Sequence, residues 1–470
     1  MPFLFLKFKF KGRFAKMEAQ RGMNMEENKM ATMPIKKLLL TMATPLILSM
    51  LVGALYNIVD SIFVSRYSEG ALTAVSLAFP IQNIIVSVGT GLGAGMNAVL
   101  SNYLGKKDQE NVDKCAHNGL LLGLITYLFL LAFGLFGVRS YYYLQSQDQV
   151  INELGIIYLS IVCIGAFGQI FQLLFERLLQ STGKTIYTMY SQISGAVLNI
   201  ILDPILIFGL FHFPKMGIAG AAIATVLGQI FALCIGLYFN LKANKEIHLA
   251  FHALKWNGKI AKKICSVGIP ASITMFLSSI MSLGLNWILG SYSSTAIAVF
   301  GAYFKTSTFI SMAAFGLNNA MISIVAFNLG TRNYKRAKET LRLSAIISIG
   351  IGVFGLLLLQ LFPRQIMNAF GASEYMMSLG LDALRIASFN FPFACLSIMV
   401  CYGLQAMAKG MPSMLISCLR QVIFLLPLAY ILGKMMGTNG VWLSIVLAEF
   451  FAMLVAVVCI KIAMKDCFNH

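Results

Sequence analysis

The chain has 470 residues, 58% of them hydrophobic and only 11% charged, with a formal net charge of +18. A soluble chain of this size would carry about a quarter charged residues, and the apolar runs here reach the ~20 residues that cross a bilayer, leaving almost nothing over for a soluble domain. The positive charge does not indicate a nucleic-acid partner, because the lysines and arginines gather in loops between apolar segments, not on a folded basic domain.

The expected fold is all-α and polytopic, with twelve transmembrane helices in two pseudo-symmetric six-helix bundles. Residues 1–34 form an N-terminal cytoplasmic extension. It opens on the basic, aromatic MPFLFLKFKFKGRFAKMEAQ, which lacks the long apolar core and small-residue cleavage site of a signal peptide. It reads either as an amphipathic segment on the membrane surface or, preferably, as translation from upstream of the natural start, with Met17, Met23 or Met25 beginning the protein. The spans follow at roughly 38–64, 71–104, 115–138, 154–178, 184–211, 217–241, 262–290, 295–329, 340–362, 376–407, 411–433 and 438–463. They divide into an N-lobe at 35–245, a linker at 246–261, a C-lobe at 262–465 and a tail at 466–470. The linker stretch AFHALKWNGK (250–259) is polar and carries Gly258.

Basic residues alternate by side. Lys36, Lys37, Lys106, Lys107, Lys114, Lys184, Lys242, Lys245, Lys255, Lys259, Lys262, Lys263, Arg332, Lys335, Arg336, Lys338, Arg342, Lys409 and Lys465 share one side; Arg66, Arg139, Lys215, Arg364 and Lys434 take the other. The positive-inside rule then places both termini in the cytoplasm of a plasma (inner) membrane protein. The nine cysteines mostly fall in apolar helices without a CxxC pair and read as small core residues.

The halves repeat. A shift of 225 residues aligns 45–105 on 270–330 without a gap, bringing Pro45 to Pro270, Tyr67-Ser68 to Tyr292-Ser293, Phe79 to Phe304 and Leu104-Gly105 to Leu329-Gly330. Six spans per repeat is even, so both halves enter the membrane in the same sense. This is a parallel repeat about an axis along the membrane normal, a physical basis for alternating access.

Charges within spans are costly and usually functional. They are Asp60, Asp203, Lys305, Arg420 and Glu449, with Glu176-Arg177 near a helix end, where a mutual ion pair or snorkelling is the preferred reading. Asn57 and Asp60 lie i, i+3 on the first span, and Asn199 and Asp203 lie i, i+4 on the fifth, so each pair shares a helix face. At 1.5 Å per residue, Asp60 lies ~9 Å below Arg66, Asp203 ~13 Å below His212 and Thr225 ~15 Å below Lys215. Pro204 lacks an N–H, freeing the carbonyl of Ile200 and allowing a helix bend there. Carboxylates, a hydroxyl and freed carbonyls suit a small hard cation or a proton. A single buried Asp could equally be a neutral, hydrogen-bonded strut; two acids at matching depth favour function. The aligned partners of Asp60 and Asp203 are Leu285 and Tyr430, so the acidic site belongs to the first half alone. Lys305 and Arg420, about 15 Å and 14 Å into their spans, face either Glu449 in an ion pair or an anionic group of a ligand.

Several motifs fail. QSTGKT (180–185) lacks the first P-loop glycine, since position 178 is Leu178. GTGLGAG (89–95) lies in an apolar span, where Gly91 and Gly95 make a small-xxx-small packing face. His248 and His252 stand i, i+4 without a second ligand cluster, so no structural metal site and no cofactor are expected.

The stretches PLILSMLVGALYNIVDSIFVSRY, YLGKKD, RLLQSTGKT, GAVLNIILDPILIFG with GIAGAAIAT, FGAYFKTSTFISMAAFGLNNAMISIVAFNLGTRNYKRAKE and LRQVIFLLPLAYIL together resemble the MATE (multidrug and toxic compound extrusion) transporters, closest to the MepA-like and DinF-like bacterial branches. The resemblance covers about residues 35–465. It implies twelve helices in two lobes and export of amphipathic, often cationic organic compounds driven by inward Na⁺ or H⁺. It also implies cation coupling at Asp60, Asn199, Asp203 and Thr225, with Asp60, Asn199 and Asp203 holding a transported Na⁺ if sodium is the coupling ion. The acid that the NorM-like branch carries in its seventh helix is missing here. The substrate cavity is expected between the lobes, with Tyr56, Asn57, Phe79, Gln82, Asn83, Tyr190, Met275, Lys305, Met312 and Arg420 as candidates. The expected partners are the lipid bilayer and small organic cations, with no nucleic acid, and the expected state is a monomer. Rival readings are a flippase or exporter of a lipid-linked saccharide, which would want a basic cavity for pyrophosphate and keeps Lys305 and Arg420 in play, then a membrane enzyme, then a channel.

The start-site reading has a direct test. An intact mass of the native protein beginning at Met17, Met23 or Met25 is expected; an unprocessed Met1 refutes it.

Overall fold

The structure, a computed structural model, describes residues 28–249 and 256–468. The candidate start methionines, His252 and most of the linker stretch lie outside these residues. Among the described residues the chain is helical, with no strand. The spans are α1 (Ile35–Tyr67), α2 (Glu69–Gly105), α3 (Gln109–Gln145), α4a and α4b (Gln149–Ile164, Ala166–Ser181), α5 (Thr185–Phe208), α6 (Ile218–Lys242), α7 (Gly258–Gly290), α8 (Ser294–Gly330), α9 (Tyr334–Leu361), α10a and α10b (Glu374–Ser388, Phe391–Ala406), α11 (Gly410–Met436) and α12 (Thr438–Phe468). Ten are unbroken spans, and each bent pair completes one more, giving the expected twelve.

The sequence repeat returns as repeated local structure. α1 and α7 both have 33 residues, and α2 and α8 both have 37. The turn into α2 is capped by Ser68, whose hydroxyl accepts from Ala71 N at 2.9 Å; Ser293 does the same for Ala296 N at 3.0 Å. Such a cap satisfies one of the orphan amides at a helix start. Lys107 and Arg332 both take the left-handed backbone at φ 58°, and Asp108 and Asn333 then cap α3 and α9. The fourth span of each half is bent at the same aligned place, by 41° around Gly165 and by 49° around Phe389-Asn390. α5, by contrast, is assigned as continuous helix through Pro204, so the sharp bends of the fold fall elsewhere. Single π-turns interrupt α3 at Phe133–Gly137 and α11 at Leu419–Ile423.

Helices alternate in direction, so the starts of α1, α3, α5, α7, α9 and α11 share one end with the lysine- and arginine-rich loops. At this basic end the two lobes share a single apolar core, in which Met96, Leu100 and Tyr103 of α2 join Leu317, Met321 and Phe327 of α8. Toward the opposite end the core forks. One branch, built on Val64, Tyr142, Tyr158 and Ile207, belongs to the N-lobe; the other, built on Leu285, Phe300, Leu425 and Trp442, belongs to the C-lobe. Small residues permit the closure. A Cβ on Gly95 would lie 2.3 Å from the Ile264 carbonyl of α7, and one on Gly105 would lie 2.1 Å from the Phe327 carbonyl of α8. Gly330 meets the Asn102 carbonyl at the same 2.1 Å, as the repeat requires. Hydrogen bonds add to the seam: Arg177 Nη1 donates to Asn319 Oδ1 (2.6 Å), Ser323 Oγ to Asn97 Oδ1 (3.0 Å) and Asn102 Nδ2 to the Ala326 carbonyl (3.3 Å). All three lie within roughly 16 Å of the end of α8 at the helical rise.

A side chain at Gly105 is therefore expected to hold the basic end open. With spin labels at Lys107→Cys and Arg332→Cys, in a background lacking other reactive cysteines, Gly105→Val should lengthen the inter-label distance by several ångströms. An unchanged distance distribution would show that this contact does not set the closure.

Candidate functional site

α5 and α6 touch backbone to backbone. A Cβ on Gly195 would sit 2.8 Å from the Gly228 carbonyl, and one on Gly228 would sit 2.8 Å from the Gly195 carbonyl. This approach sets Asn199, one turn beyond Gly195, beside Thr225, one turn before Gly228. Both line a cavity of about 170 Å³ inside the N-lobe, together with Tyr56 of α1, Gln169 and Gln172 of α4b, Gln192 of α5 and Gln229 of α6. Gln229 Nε2 donates to Gln169 Oε1 at 2.5 Å.

Asp203 is fully buried and accepts from Asn199 Nδ2 at 3.3 Å. The Asp60 carboxyl of α1 lies within hydrogen-bonding reach of it. Asp60 Oδ1, Asn199 Oδ1 and Asp203 Oδ2 are buried and have no hydrogen-bond partner. No cation of the protein pairs with either acid among the described residues. Three acceptor oxygens without donors, two of them on acids, form a set that a small hard cation or a proton would complete.

The other candidates scatter. Gln82 Nε2 donates to the hydroxyl of Tyr158, a buried residue of α4a (2.9 Å). Asn57 folds back to the Gly53 carbonyl of its own helix (2.8 Å). Phe79 is 59% exposed, Tyr190 packs beside Tyr187 and Phe239, and Asn83, Met275 and Met312 are half-buried away from the N-lobe cavity. In the C-lobe, Arg420 on the π-turn of α11 meets Glu449 of α12 in a bidentate pair, with Nε 3.0 Å and Nη2 2.7 Å from Oε1. Lys305 is exposed and has no ion pair among the described residues. Of the two positions aligned with the acids, Leu285 is buried in the core. Tyr430 borders a groove of about 520 Å³ between α7 and α11, under the ammonium of Lys434.

The expected Glu176-Arg177 ion pair is corrected by the structure. Glu176 accepts from Gln172 Nε2 (3.0 Å), Gln192 Nε2 (2.6 Å) and Ser191 Oγ (3.4 Å). Arg177 donates to Gln180 Oε1 (2.9 Å) and to Asn319 of the other lobe. Neighbours on a helix point about 100° apart and do not face each other. The glutamine set was missed from sequence, although Gln169, Gln172 and Glu176 recur at i, i+3 and i+7 on one face of an otherwise apolar span.

Two six-helix lobes joined at one end, with a cavity in one of them whose Asn199 reaches a buried acid, define a polytopic membrane transporter. The MatE family model matches residues 45–205 and 270–431, one match per lobe and more than half the chain, and the chain belongs to that family. It is 26% identical to the FAD transporter of Shewanella oneidensis, over 92% of this chain and 95% of that one. It is 24% identical to the multidrug export protein MepA of Staphylococcus aureus, over 91% and 94% respectively. Among solved structures, the outward-facing conformation of a multidrug resistance MATE family transporter of the MOP superfamily superposes with a TM-score of 0.89 at 25% identity, covering 95% of this chain and 99% of that one.

The Arg420–Glu449 pair gives a stability prediction. Glu449→Gln should destabilise the protein by ~3–5 kcal/mol, because it leaves a buried guanidinium uncompensated. Arg420→Met with Glu449→Leu should recover most of that loss. Thermal unfolding in detergent reads both; equal losses in the single and double variants would show that the unpaired guanidinium is not what costs the single variant its stability.

Proposed function

We propose that the chain is an antiporter that exports amphipathic, often cationic organic compounds by alternating access, driven by inward movement of Na⁺ or H⁺ through the N-lobe. The observation that carries this reading is the set of donorless oxygens on Asp60, Asn199 and Asp203, the second of which lines the N-lobe cavity. Two carboxylates within reach of each other, with no protein cation between them, repel unless a proton or a cation sits on the pair. With the basic end in the cytoplasm by the positive-inside rule, the shared core closes the inner face and the forked cores leave the outer face open. In that arrangement the acids load from outside. The ion does work only by binding the two arrangements with different affinity: loading weakens substrate binding in the N-lobe, and release to the cytoplasm restores it. The MepA relative supports the substrate class, since its name is that of a multidrug exporter.

A second reading is favoured by Lys305, an exposed cation without an ion pair among the described residues, and by the relative named an FAD transporter. In it the substrate carries a pyrophosphate, as in a flavin dinucleotide or a lipid-linked saccharide. Competition in the transport assay separates the two readings.

The assay is efflux of a fluorescent organic cation from liposomes holding the purified protein, with an inward pH or sodium gradient imposed separately. Asp60→Asn and Asp203→Asn should each cut gradient-driven efflux by more than about tenfold, while dye binding in detergent persists. Undiminished, gradient-dependent efflux in both variants would refute the assignment.

A further inference from the structure

Glu176 sits on α4b, near the basic end of the N-lobe, at 1% exposure. Its carboxylate is held by neutral groups alone: two carboxamides, Gln172 and Gln192, and the hydroxyl of Ser191. Both glutamines also line the N-lobe cavity, so Glu176 stands one side chain behind its wall. The same cavity reaches Asn199, 3% exposed with Oδ1 unpartnered, and through it Asp203. Along α5, Ser191 and Asp203 are ~18 Å apart at the helical rise. The acids therefore stand behind different walls of one cavity, whose lining carries Gln172, Gln192, Asn199 and Thr225 among apolar residues such as Met50 and Leu173.

The charged surroundings of Glu176 are sparse. Arg177 is the cation whose field reaches it, and its guanidinium is committed to Gln180 and Asn319, with Tyr402 of α10b beside it. α5 offers Thr188, Ser191 and Gln192; α6 reaches Ser191 through the Ala232 carbonyl; α2 and α3 bring apolar contacts at Leu173 and Leu174. Lys184 and Glu246 pair with each other at the helix end. A buried carboxylate without a cation on it, beside a polar cavity, is a place where a proton can reside.

We infer that Glu176 is a second proton-binding site, at the basic end of the N-lobe cavity, which passes protons between the Asp60–Asp203 pair and the basic face of the lobe. Its neighbour Arg177 grips the other lobe, so the charge on Glu176 bears directly on the seam that closes that face. The inference deepens the antiport reading and rests on it.

The test has two arms. Infrared difference spectra between high and low pH are recorded on the full-length protein in lipid, in the Asp60→Asn/Asp203→Asn background and in the same background with Glu176→Gln. A buried-carboxyl band that persists in the first and disappears in the second supports the site; a spectrum unaltered by Glu176→Gln overturns it. If Glu176→Gln does not fold, Glu176→Asp serves, and the band should move. In liposomes, Glu176→Gln should lower pH-driven dye efflux by about tenfold while dye binding persists, and Glu176→Asp should restore part of it. A variant that keeps the wild-type pH-driven rate, or loses only sodium-driven efflux, overturns the inference. Wild-type protein that ignores both gradients defeats the antiport reading instead, and the infrared arm still decides whether Glu176 takes a proton.

Discussion

Hydrocarbon offers no water, so every polar group carried into the bilayer must find its partner within the protein or remain several kcal/mol too high in energy. Most of this chain obeys. Asn240 spans the carbonyls of Phe175 and Gly236, Ser191 reaches the carbonyl of Ala232, and Arg420 is matched by both oxygens of Glu449. The exceptions include single amides such as Asn97, Asn152 and Asn244, and one group that holds acids: Asp60, Asn199 and Asp203 each keep a buried oxygen with no donor. What sets this group apart is that its bare atoms are all acceptors and two of them belong to acids, the arrangement on which the proposed cation coupling rests.

The same constraint explains why the two lobes are alike in backbone and unlike in chemistry. Caps, turns and bends recur at a spacing of 225 residues because they are set by local sequence: serine caps, a left-handed residue before an Asp or Asn cap, and a break in the fourth span. The polar interiors do not recur. Where the N-lobe holds an acid pair without a counter-charge, the C-lobe places a leucine and a tyrosine at the aligned positions and joins Arg420 to Glu449 in an ion pair.

Much of this could be read from sequence. Apolar runs of membrane length gave the spans, the ungapped alignment gave the two lobes, and equal depth along separate helices brought out Asp60, Asn199, Asp203 and Thr225. Pairings were harder, because they depend on how each helix is rotated and on which neighbour it meets. Glu176 and Arg177 adjoin in sequence, yet one turns to α5 and the other crosses to α8. Arg420 and Lys305 look equivalent as buried cations, and only the packing of α12 against α11 decides that Arg420 takes Glu449. The bend around Gly165 carries no proline and that around Phe389-Asn390 is followed by Pro392, whose missing N–H cannot bond the Ser388 carbonyl, whereas Pro204, read from sequence as a bend, lies in a helix that continues through it.

The glycine contacts at the basic end have a mechanical corollary. α2 and α8 are each about 55 Å long at the helical rise, and Gly105 and Gly330, where their backbones come closest, lie at one extremity. A hinge so placed gives the lobes a long lever arm: a swing of about 10° would displace the far tips by roughly 10 Å on rods of that length. Gates at the two faces would then need very different travel, a small parting near the fulcrum and a wide sweep at the remote rim.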